Sequence, residues 1–213
     1  MNGRGFFVVL EGPEGSGKST LLGPLAERMR ASKVDPVVVR EPGGTHAAEI
    51  ARKALLDPDH PMGPVAELFF FLAARADLVQ AVIQPALAAG RVVLSDRFAM
   101  TTEAYQMAGR GLDPTMVRAA NQAAAHGLTP DLTLILDLAP ELGQARQIAA
   151  GKRQDRLEQE SLDFHRRVLE YYLAVKGSGV RHLDARLPPD QLLQVAWTEI
   201  RSAAPATFQS VVG

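Results

Sequence analysis

The sequence predicts an α/β protein with a five-stranded parallel sheet flanked by helices on both faces. Short apolar runs alternate with longer segments of helical spacing, and most of the runs lack the in-and-out alternation of a half-exposed strand. Continuous apolar runs of this length are typical of strands buried on both faces, and a repeated strand-then-helix order is typical of parallel sheets. The strand candidates are Phe6–Leu10, Pro36–Val39, Arg91–Ser95, Leu132–Asp137 and Val180–Leu183.

Helical segments between these runs are marked by apolar residues three or four positions apart, which share one face of a helix. We expect these positions to face the core, together with Phe69 or Phe70. The marking residues are Leu21, Leu22, Leu25 and Met29; Phe69, Leu72, Ala76 and Val79; Leu142, Ala145 and Ala149; and Val168, Tyr171, Tyr172 and Val175.

The composition is that of a globular protein, with 213 residues, 46% hydrophobic and 22% charged. It predicts a single domain over residues 1–213, with a disordered tail at 204–213 where no periodicity remains. A formal net charge of -1 argues against nucleic acid as a partner, and the lack of cysteine excludes disulfides and thiolate-metal sites. No apolar stretch is long enough to span a membrane, so we expect a cytoplasmic protein with no membrane partner.

A phosphate-binding loop is predicted between the first strand and the first helix. The stretch from Gly12 to Ser19, GPEGSGKS, matches the pattern G-x-x-x-x-G-K-[ST] in the strand–loop–helix setting that the pattern requires. Glycines let successive N–H groups face a phosphate, Lys18 reaches the β- and γ-phosphates, and the hydroxyl of Ser19 binds Mg²⁺. A glycine-rich turn with a surface lysine explains neither the spacing nor the setting. The expected ATP-binding residues are Gly12, Pro13, Glu14, Gly15, Ser16, Gly17, Lys18, Ser19 and Thr20.

Polar residues also follow the second and third strands, at the sheet edge where ligands bind in open α/β folds. Arg40 opens the stretch REPGGT, and Asp96 and Arg97 end the third strand. A carboxylate there suits Mg²⁺, and an arginine suits a phosphate, although a simple surface ion pair is an alternative. Phe71 and Arg75 share a helix face and form a candidate nucleobase reader, whose alternatives are a core aromatic residue and a solvated arginine.

Taken together, the motifs resemble those of thymidylate kinases of the bacterial type, over Phe6 to about Leu187. The motifs are EGPEGSGKST, REPGGT, FLAAR, DRFAMTTEAYQ, GRG and DRLEQES. The resemblance implies a P-loop NTPase fold with a short lid at about residues 150–160, here called the lid loop. It also implies that ATP and dTMP are the substrates and dTDP a product, that Mg²⁺ is the cofactor, and that the protein is a homodimer.

The same resemblance implies roles for individual residues. Phe71 stacks on thymine, Arg75 bonds the base edge, and Arg146 lies against adenine. Glu11 lies near the 3′-hydroxyl or the magnesium shell, and Asp96 organises Mg²⁺. The expected dTMP-binding residues are Glu11, Arg40, Pro42, Phe71, Arg75, Arg97, Thr101, Thr102, Tyr105 and Gln106. The expected catalytic residues are Glu11, Lys18, Asp96, Arg97, Arg153 and Arg156, and the metal ligands are Ser19, Asp96 and Glu11.

The lid loop is expected to supply an arginine for the transferred phosphoryl group. Positions 13–16 of the phosphate-binding loop carry no arginine, whereas Lys152, Arg153 and Arg156 crowd the lid loop. The choice between Arg153 and Arg156 stays open. Phe98 departs from the family, which often has Tyr or His at that position. The scattered histidines are interpreted as structural or surface residues, so catalysis should rest on positioning and charge neutralisation.

Two rival functions remain at this stage. One is a kinase for another monophosphate, dUMP, CMP or GMP, against which the pairing of REPGGT with AYQ argues. The other is a regulator that binds ATP without transferring phosphate, against which the intact Lys18, Ser19, Asp96 and Arg97 argue. A dimer surface is suggested by the apolar spacing in Pro114–Ala125, which burial in the monomer explains equally well.

Overall fold

The computed structural model describes residues 4–151 and 153–208 and contains a five-stranded, fully parallel sheet. The strand order is β2-β3-β1-β4-β5. This architecture confirms the predicted fold class, and each observed strand lies within one or two residues of its candidate run. The strands are β1 (Phe7–Glu11), β2 (Val37–Arg40), β3 (Val93–Asp96), β4 (Leu132–Asp137) and β5 (Val180–Asp184).

The register of the sheet brings the polar strand ends to one edge. Arg40 at the end of β2 and Leu10 near the end of β1 both pair with Asp96 of β3. Because all strands run in the same direction, Glu11, Arg40 and Asp96 end at the same side of the sheet. Every residue of β1 is buried, as expected for the apolar run Phe7–Leu10, and Glu11 at its end is buried as well.

Helices cover both faces of the sheet. Helix α3 continues through a π-helical turn, Val79–Ile83, into α4, and α5 continues into a π-helical segment, Glu103–Gly109. The helices are α1 (Lys18–Ala31), α2 (His46–Leu56), α3 (Pro64–Leu78), α4 (Gln84–Ala88), α5 (Ala99–Thr102), α6 (Pro114–Ala124), α7 (Pro140–Ala149), α8 (Leu162–Ala174), α9 (Pro189–Ala203) and α10 (Pro205–Phe208).

The core is divided between the two faces by the alternating side chains of β1. Val8 and Leu10 pack in a cluster with apolar residues of α1 and α9. Phe7 and Val9 point to the other face and pack with the end of α3, the π-helical turn and α4. Of the expected inward residues of α1, Leu21, Leu25 and Met29 are buried and Leu22 is partly buried.

One predicted helix face is wrong in part and another is wrong. Leu72 and Val79, on the face predicted along α3, are buried as expected, but the phenylalanines are not. Phe69 is 58% and Phe70 38% exposed, because α3 turns Glu67, Phe71 and Arg75 inward instead. In α7, Leu142, Ala145 and Ala149 are all exposed. The inward face of α7 carries Gly143, where a β-carbon would lie 2.4 Å from the carbonyl oxygen of Glu14 in the phosphate-binding loop. Close backbone approach, not apolar spacing, therefore sets the rotation of α7.

Part of the predicted tail is folded. Pro205–Phe208 form α10, and Phe208 is buried with its ring centroid 5.2 Å from that of Trp197. The expectation of disorder is wrong for this stretch, because a single aromatic residue gives it an apolar contact. Residues 209–213 and Lys152 lie outside the described residues. No helix in the described ranges combines the length and apolar character that a membrane span requires.

Candidate active site

The loop between β1 and α1 has the backbone conformation of a phosphate cradle. Gly12, Gly15 and Gly17 have φ angles of 134°, 71° and 93°, which side chains disfavour. A β-carbon on Gly15 would also lie 2.4 Å from the carbonyl oxygen of Gly143 in α7. Glycine is therefore required at this position by both conformation and space, and α7 supports the loop from behind.

Lys18 is folded over this loop. Its Nζ donates hydrogen bonds to the carbonyl oxygens of Gly12 and Pro13, both at 2.8 Å, and to Oγ of Ser16 at 3.2 Å. Burial, together with the nearby charge of Arg97, lowers the pKa of Lys18 to about 8. The ammonium group is thus held close to the cavity in an environment that disfavours its charge until an anion arrives.

Ser19 and Asp96 form an oxygen-rich pair at the start of α1. Oγ of Ser19 donates a hydrogen bond of 3.2 Å to Oδ2 of Asp96, while Oδ1 of Asp96 is buried without a partner. Within the described residues, no three His, Cys, Asp or Glu side chains are grouped so as to hold a metal. A hard cation bound here would have to complete its ligands from phosphate and water, as Mg²⁺ commonly does.

Arg97 lies at the end of β3 with a φ of 71° and faces the same space. Its guanidinium donates to the carbonyl oxygen of Gly12 at 3.2 Å, to Oγ1 of Thr101 at 3.2 Å and to the carboxylate of Glu14. It also lies over the Tyr105 ring, 5.2 Å from the centroid. Burial works against its charge, but Glu14, Tyr105, Tyr172 and Asp96 together outweigh burial and raise the pKa of Arg97.

Glu14 was expected only as a member of the ATP loop, but its side chain faces Arg97 and Tyr105. Its Oε1 accepts hydrogen bonds from Nη2 of Arg97 and, at 3.3 Å, from the Tyr105 hydroxyl. Burial alone would raise the pKa of Glu14, but the charges of Arg97 and Lys18 outweigh it, so the pKa is lowered. The carboxylate therefore stays ionised on the side of the loop that faces β3.

A single cavity of about 1010 Å³ connects these groups. It extends from the phosphate-binding loop, along the polar strand ends, to the aromatic ring of Phe71 on α3. The expected site residues that line it are Glu14, Gly15, Ser16, Gly17, Lys18, Ser19, Thr20, Arg40, Pro42, Phe71, Asp96, Arg97, Thr101, Tyr105 and Arg146.

Comparison with known proteins decides the family. The thymidylate kinase family model matches residues 10–194. The chain belongs to the thymidylate kinase family. It is 43% identical over 200 residues to the thymidylate kinase of Deinococcus radiodurans, covering 92% of this chain and 97% of the relative. It is 46% identical over 210 residues to that of Ectopseudomonas mendocina, covering 98% and 99% of the two chains. As a family member it is an ATP-dependent kinase that phosphorylates dTMP to dTDP.

Several residues that the thymidylate kinase resemblance placed at the substrates do not line the cavity. They are Glu11, Arg75, Thr102, Gln106, Arg153 and Arg156. Glu11 accepts hydrogen bonds from the backbone N–H groups of Phe98 and Thr101, at 3.0 and 3.2 Å, and from the Tyr172 hydroxyl at 2.9 Å. Burial raises its pKa. Because these protein donors occupy its oxygens, the expected contact of Glu11 with the 3′-hydroxyl or Mg²⁺ is not supported. Glu11 instead stabilises the turn after β3 through the same hydrogen bonds.

Arg75 is only 1% exposed, and its N–H groups point into the protein. Nε and Nη2 bond Oε2 of Glu41 at 2.8 and 2.6 Å, and Nη1 bonds the Thr102 hydroxyl at 2.9 Å. The remaining donors reach the carbonyl oxygen of Phe98 and the amide of Asn121. In this arrangement neither Arg75 nor Thr102 has a group directed at a base, contrary to expectation.

Phe98 takes a core position instead of a polar one. Its ring centroid lies 5.0 Å from that of Phe7 and 5.4 Å from the guanidinium carbon of Arg75. This departure from the usual residue of thymidylate kinases therefore fills the space between the sheet and Arg75 with an apolar contact.

The two lid-loop arginines differ in their surroundings. The side chain of Arg153 is 76% exposed, and its ion pair within the described residues is with the exposed Asp59, at 3.3 Å. Arg156 is largely buried and donates to Oε2 of Glu67 at 2.6 Å and to the carbonyl oxygen of Leu55 at 3.0 Å. Arg146 lies at the cavity, where Nη2 donates to the carbonyl oxygen of Ala185 at 2.9 Å.

The cavity is also lined by residues that the sequence analysis did not assign to the site, among them Arg52 and Glu41. Arg52 on α2 donates to the carbonyl oxygen of Pro42 at 2.9 Å, and burial, with Arg40 nearby, lowers its pKa. Its helical neighbour Ala51 is buried, so a helical-wheel analysis of α2 would have placed Arg52 at the edge of the inward face. Glu41, the buried partner of Arg75, also lines the cavity. The REPGGT motif contains it, but nothing in the sequence indicated its direction.

Proposed function

We propose that ATP occupies the phosphate-loop half of this cavity and dTMP the Phe71 half, so that the γ-phosphoryl group passes between them over Arg97. One observation carries this proposal: a single continuous cavity is lined by the phosphate-binding loop, by Arg97 and by Phe71. Its volume of about 1010 Å³ lies at the upper end of the range for pockets that hold one drug-sized ligand. The cavity extends from the phosphate-binding loop to Phe71, so that one nucleotide can lie at each end.

Positioning and charge neutralisation supply the catalysis. The acceptor phosphate is already anionic near neutral pH, so no strong base is needed. Lys18 lies against the transferring phosphate, and Arg97, which is held by Glu14, orients the attacking oxygen. Arg40 and Arg52 add positive charge at the acceptor end.

The sugar contact that the resemblance gave to Glu11 fits Glu14 better. Glu14 lines the cavity, stays ionised and already accepts hydrogen bonds from Tyr105 and Arg97. A ribose-ring hydroxyl entering beside Tyr105 meets a carboxylate that has one oxygen without a protein donor among the described contacts. We therefore assign to Glu14 the hydrogen bond to the 3′-hydroxyl.

Mg²⁺ is the cofactor that the Ser19 and Asp96 pair fits. A hydroxyl and a carboxylate with one buried, unpartnered oxygen are the donor types of a magnesium site completed by phosphate oxygens and water. When bound, the ion neutralises part of the triphosphate charge. Glu11 has no part in this set, because its oxygens already accept protein hydrogen bonds.

Base recognition rests on Phe71, which lines the cavity, as the stacking surface. Gln106 does not line the cavity and reaches the base only if the pocket wall shifts when dTMP binds. Nε2 of Gln106 is held by Glu67 at 2.9 Å, while its Oε1 is buried without a partner and remains to accept a hydrogen bond. Arg75 holds Glu41, which lines the cavity, and is itself bonded to the Thr102 hydroxyl, so both residues act on the pocket indirectly.

Arg153 is the lid-loop arginine that we assign to the transferred phosphoryl group. It is exposed, and an exposed ion pair such as that with Asp59 contributes little and is easily broken. Arg156 is held by the buried carboxylate of Glu67 and by the carbonyl oxygen of Leu55, so moving it to the phosphoryl group would break two buried contacts.

A homodimer is proposed from the exposed apolar residues of α3 and α6. Val65, Phe69, Phe70 and Met116 are exposed large hydrophobic side chains on these two helices. Contiguous exposed apolar side chains mark protein interfaces. We further propose that the chain acts as one kinase domain and binds no nucleic acid, in keeping with its formal net charge of -1.

The test is an ADP-release assay with ATP and Mg²⁺, in which dTMP, dUMP, CMP, AMP and GMP are offered in parallel. We expect turnover with dTMP and weaker turnover with dUMP. Turnover with a different acceptor would keep the kinase mechanism and overturn the base assignment. Binding of ATP without ADP release from any acceptor would instead favour the regulator.

A further inference from the structure

Glu67 lies on the first turn of α3, is fully buried and accepts hydrogen bonds from three side chains. Gln106 donates to Oε1 at 2.9 Å and Arg156 to Oε2 at 2.6 Å, while Arg110 donates to both oxygens at 3.1 and 2.8 Å. Burial alone would raise the pKa of Glu67, but these hydrogen bonds outweigh it, so the pKa is lowered. The carboxylate is therefore ionised and fully engaged.

Charge alternates along the chain of contacts. Arg110 also donates to Oε1 of Glu160 at 2.5 Å. The side chains in contact, in spatial order, are therefore Arg156, Glu67, Arg110 and Glu160. We call these four side chains the charge clasp. Arg156 and Glu160 both belong to the lid loop, whereas Glu67 and Arg110 belong to the body of the protein. The lid loop is thus held at two points by complementary charges.

The charge clasp adjoins the acceptor half of the cavity. Glu67 lies one helical turn before Phe71, and both side chains point inward. Leu157, next to Arg156 in the lid loop, is buried in a cluster with Phe71 and Leu55. The lid loop therefore packs directly against the residue on which the base is proposed to stack.

Two members of this arrangement have unused hydrogen-bonding capacity. Oε1 of Gln106 and Nη2 of Arg156 are both buried without a partner, although each side chain is bonded to Glu67 through another atom. Buried polar atoms are rarely left unpaired. Glu67 therefore holds one side chain with an unpaired acceptor and another with an unpaired donor. Such groups can change partners when the acceptor pocket fills.

We propose that Glu67 is a positioning residue that couples occupation of the acceptor pocket, through Gln106 and Arg156, to closure of the lid loop. The inference rests on the proposed function, because it takes dTMP as the ligand of the Phe71 half. Glu67 touches no substrate itself. It sets where Arg156 holds the lid loop, and so how well the site excludes water when ATP is bound.

The decisive measurement is a ratio of two rates of the same preparation: ATP hydrolysis without dTMP, and phosphoryl transfer to dTMP. Glu67→Gln keeps the side-chain shape and removes the charge that holds Arg156. We expect transfer to fall while hydrolysis does not, so that the ratio of hydrolysis to transfer rises about tenfold, the size typical of coupled contacts. A purely structural role lowers both rates together and leaves the ratio unchanged.

Glu103→Gln is the matched control. Glu103 lies on the helical segment that carries Gln106 and accepts hydrogen bonds from Arg118 at 3.1 Å and Tyr171 at 2.9 Å. It does not line the cavity and is not a member of the charge clasp. We expect this change to lower the melting temperature slightly and to leave the ratio unaltered.

A double-mutant cycle tests the route through Arg156. If Glu67 acts through Arg156, the ratio for Glu67→Gln combined with Arg156→Gln equals that for Arg156→Gln alone. Arg156→Lys, which keeps a positive charge, should restore part of the coupling, and it also serves if Glu67→Gln does not fold. The inference would be overturned if the double variant changed the ratio by the product of the two single effects. It would also be overturned if neither Glu67→Gln nor Arg156→Gln changed the ratio. Failure of the unaltered protein to phosphorylate dTMP would instead overturn the proposed function.

Discussion

Lys18 illustrates how one residue depends on an environment that its own motif creates. Its ammonium is bonded to carbonyl oxygens of the loop it belongs to, and burial brings its pKa to about 8. A triphosphate supplies the negative charge that this environment lacks. Binding of ATP should therefore raise the pKa of Lys18, and proton uptake should accompany binding wherever the free lysine is deprotonated.

Replacement of Lys18 by alanine should reduce turnover by about 10³-fold, since a donor to the transferring group is lost. In the unaltered protein, ATP should raise the pKa of Lys18 above its value of about 8 in the free protein. The contribution of Lys18 to ATP affinity should therefore be constant below about pH 8 and should weaken as the pH rises above about 8. Titration calorimetry at several pH values measures this directly. Lys18→Ala should bind weakly with a flat pH profile, and the exposed Lys176→Ala should behave as the unaltered protein does. A flat profile in the unaltered protein would contradict the assignment.

For single residues, the sequence indicated which residue types form the site, but not the direction in which each side chain points. The loop from Gly12 to Ser19 was identified because its motif is local. The resemblance gave the sugar contact to Glu11 and left Glu14 in the ATP loop, because a motif does not show side-chain direction; in the structure Glu14 lines the cavity and Glu11 does not. Arg75 was expected at the base, but its donors are taken by partners that come from distant parts of the chain.

At the scale of elements, the lid loop joins the chemistry of the phosphate site to the packing of the acceptor pocket. Its two arginines separate into an exposed one and a buried one, which spacing alone did not distinguish. The difference arises because Arg156 forms an ion pair with the buried Glu67 on α3, whereas Arg153 is exposed and pairs with the exposed Asp59.

Arg153→Ala should lower kcat by about 10³-fold and leave the KM for dTMP within a few-fold, because the arginine acts on the transferred group. Steady-state kinetics with dTMP varied at saturating ATP separates the two constants. Arg166→Ala removes another exposed guanidinium, paired with Glu141 and Asp163, and should change neither. An effect confined to KM would count against the assignment.

The short helix α10 should contribute measurably to stability. Phe208→Ala removes a buried ring that packs on Trp197 and should lower the free energy of unfolding by about 3 kcal/mol. Urea unfolding followed by tryptophan fluorescence measures the change. Ile148→Ala, at a side chain 73% exposed on α7, should stay within about 0.5 kcal/mol of the unaltered protein. Equal stability of Phe208→Ala would mean that α10 does not pack in solution.

The elements themselves were predictable where their pattern is set by burial on both faces, as in β1. Helix faces were less so. The spacing in α3 indicated Phe69 as a core residue, but the polar partners of Glu67 and Arg75 rotate the helix and leave Phe69 exposed. A pattern of apolar residues does not record such buried polar pairings.

At the scale of the whole molecule, the exposed apolar residues of α3 and α6 suggest a second copy of the chain. Phe69→Glu places a charge within this surface and should shift the protein from dimer to monomer, since an interface of this kind depends on its desolvated centre. Sedimentation velocity over a range of concentrations reports the change. Ile148→Glu adds the same charge on α7 and should leave the dimer intact. A monomer at all concentrations of the unaltered protein would contradict the proposal.

The position of β1 in the sheet has a consequence for synthesis on the ribosome. The first strand of the chain is central, and its two neighbours are β3 and β4, whose pairing partners extend to Ile135. The phosphate-binding loop follows β1 directly, and Gly15 needs the backbone of α7 behind it. A nascent chain therefore carries the complete motif long before it has the scaffold to shape it. Affinity for the nucleotide should arise late in translation, once α7 has left the exit tunnel.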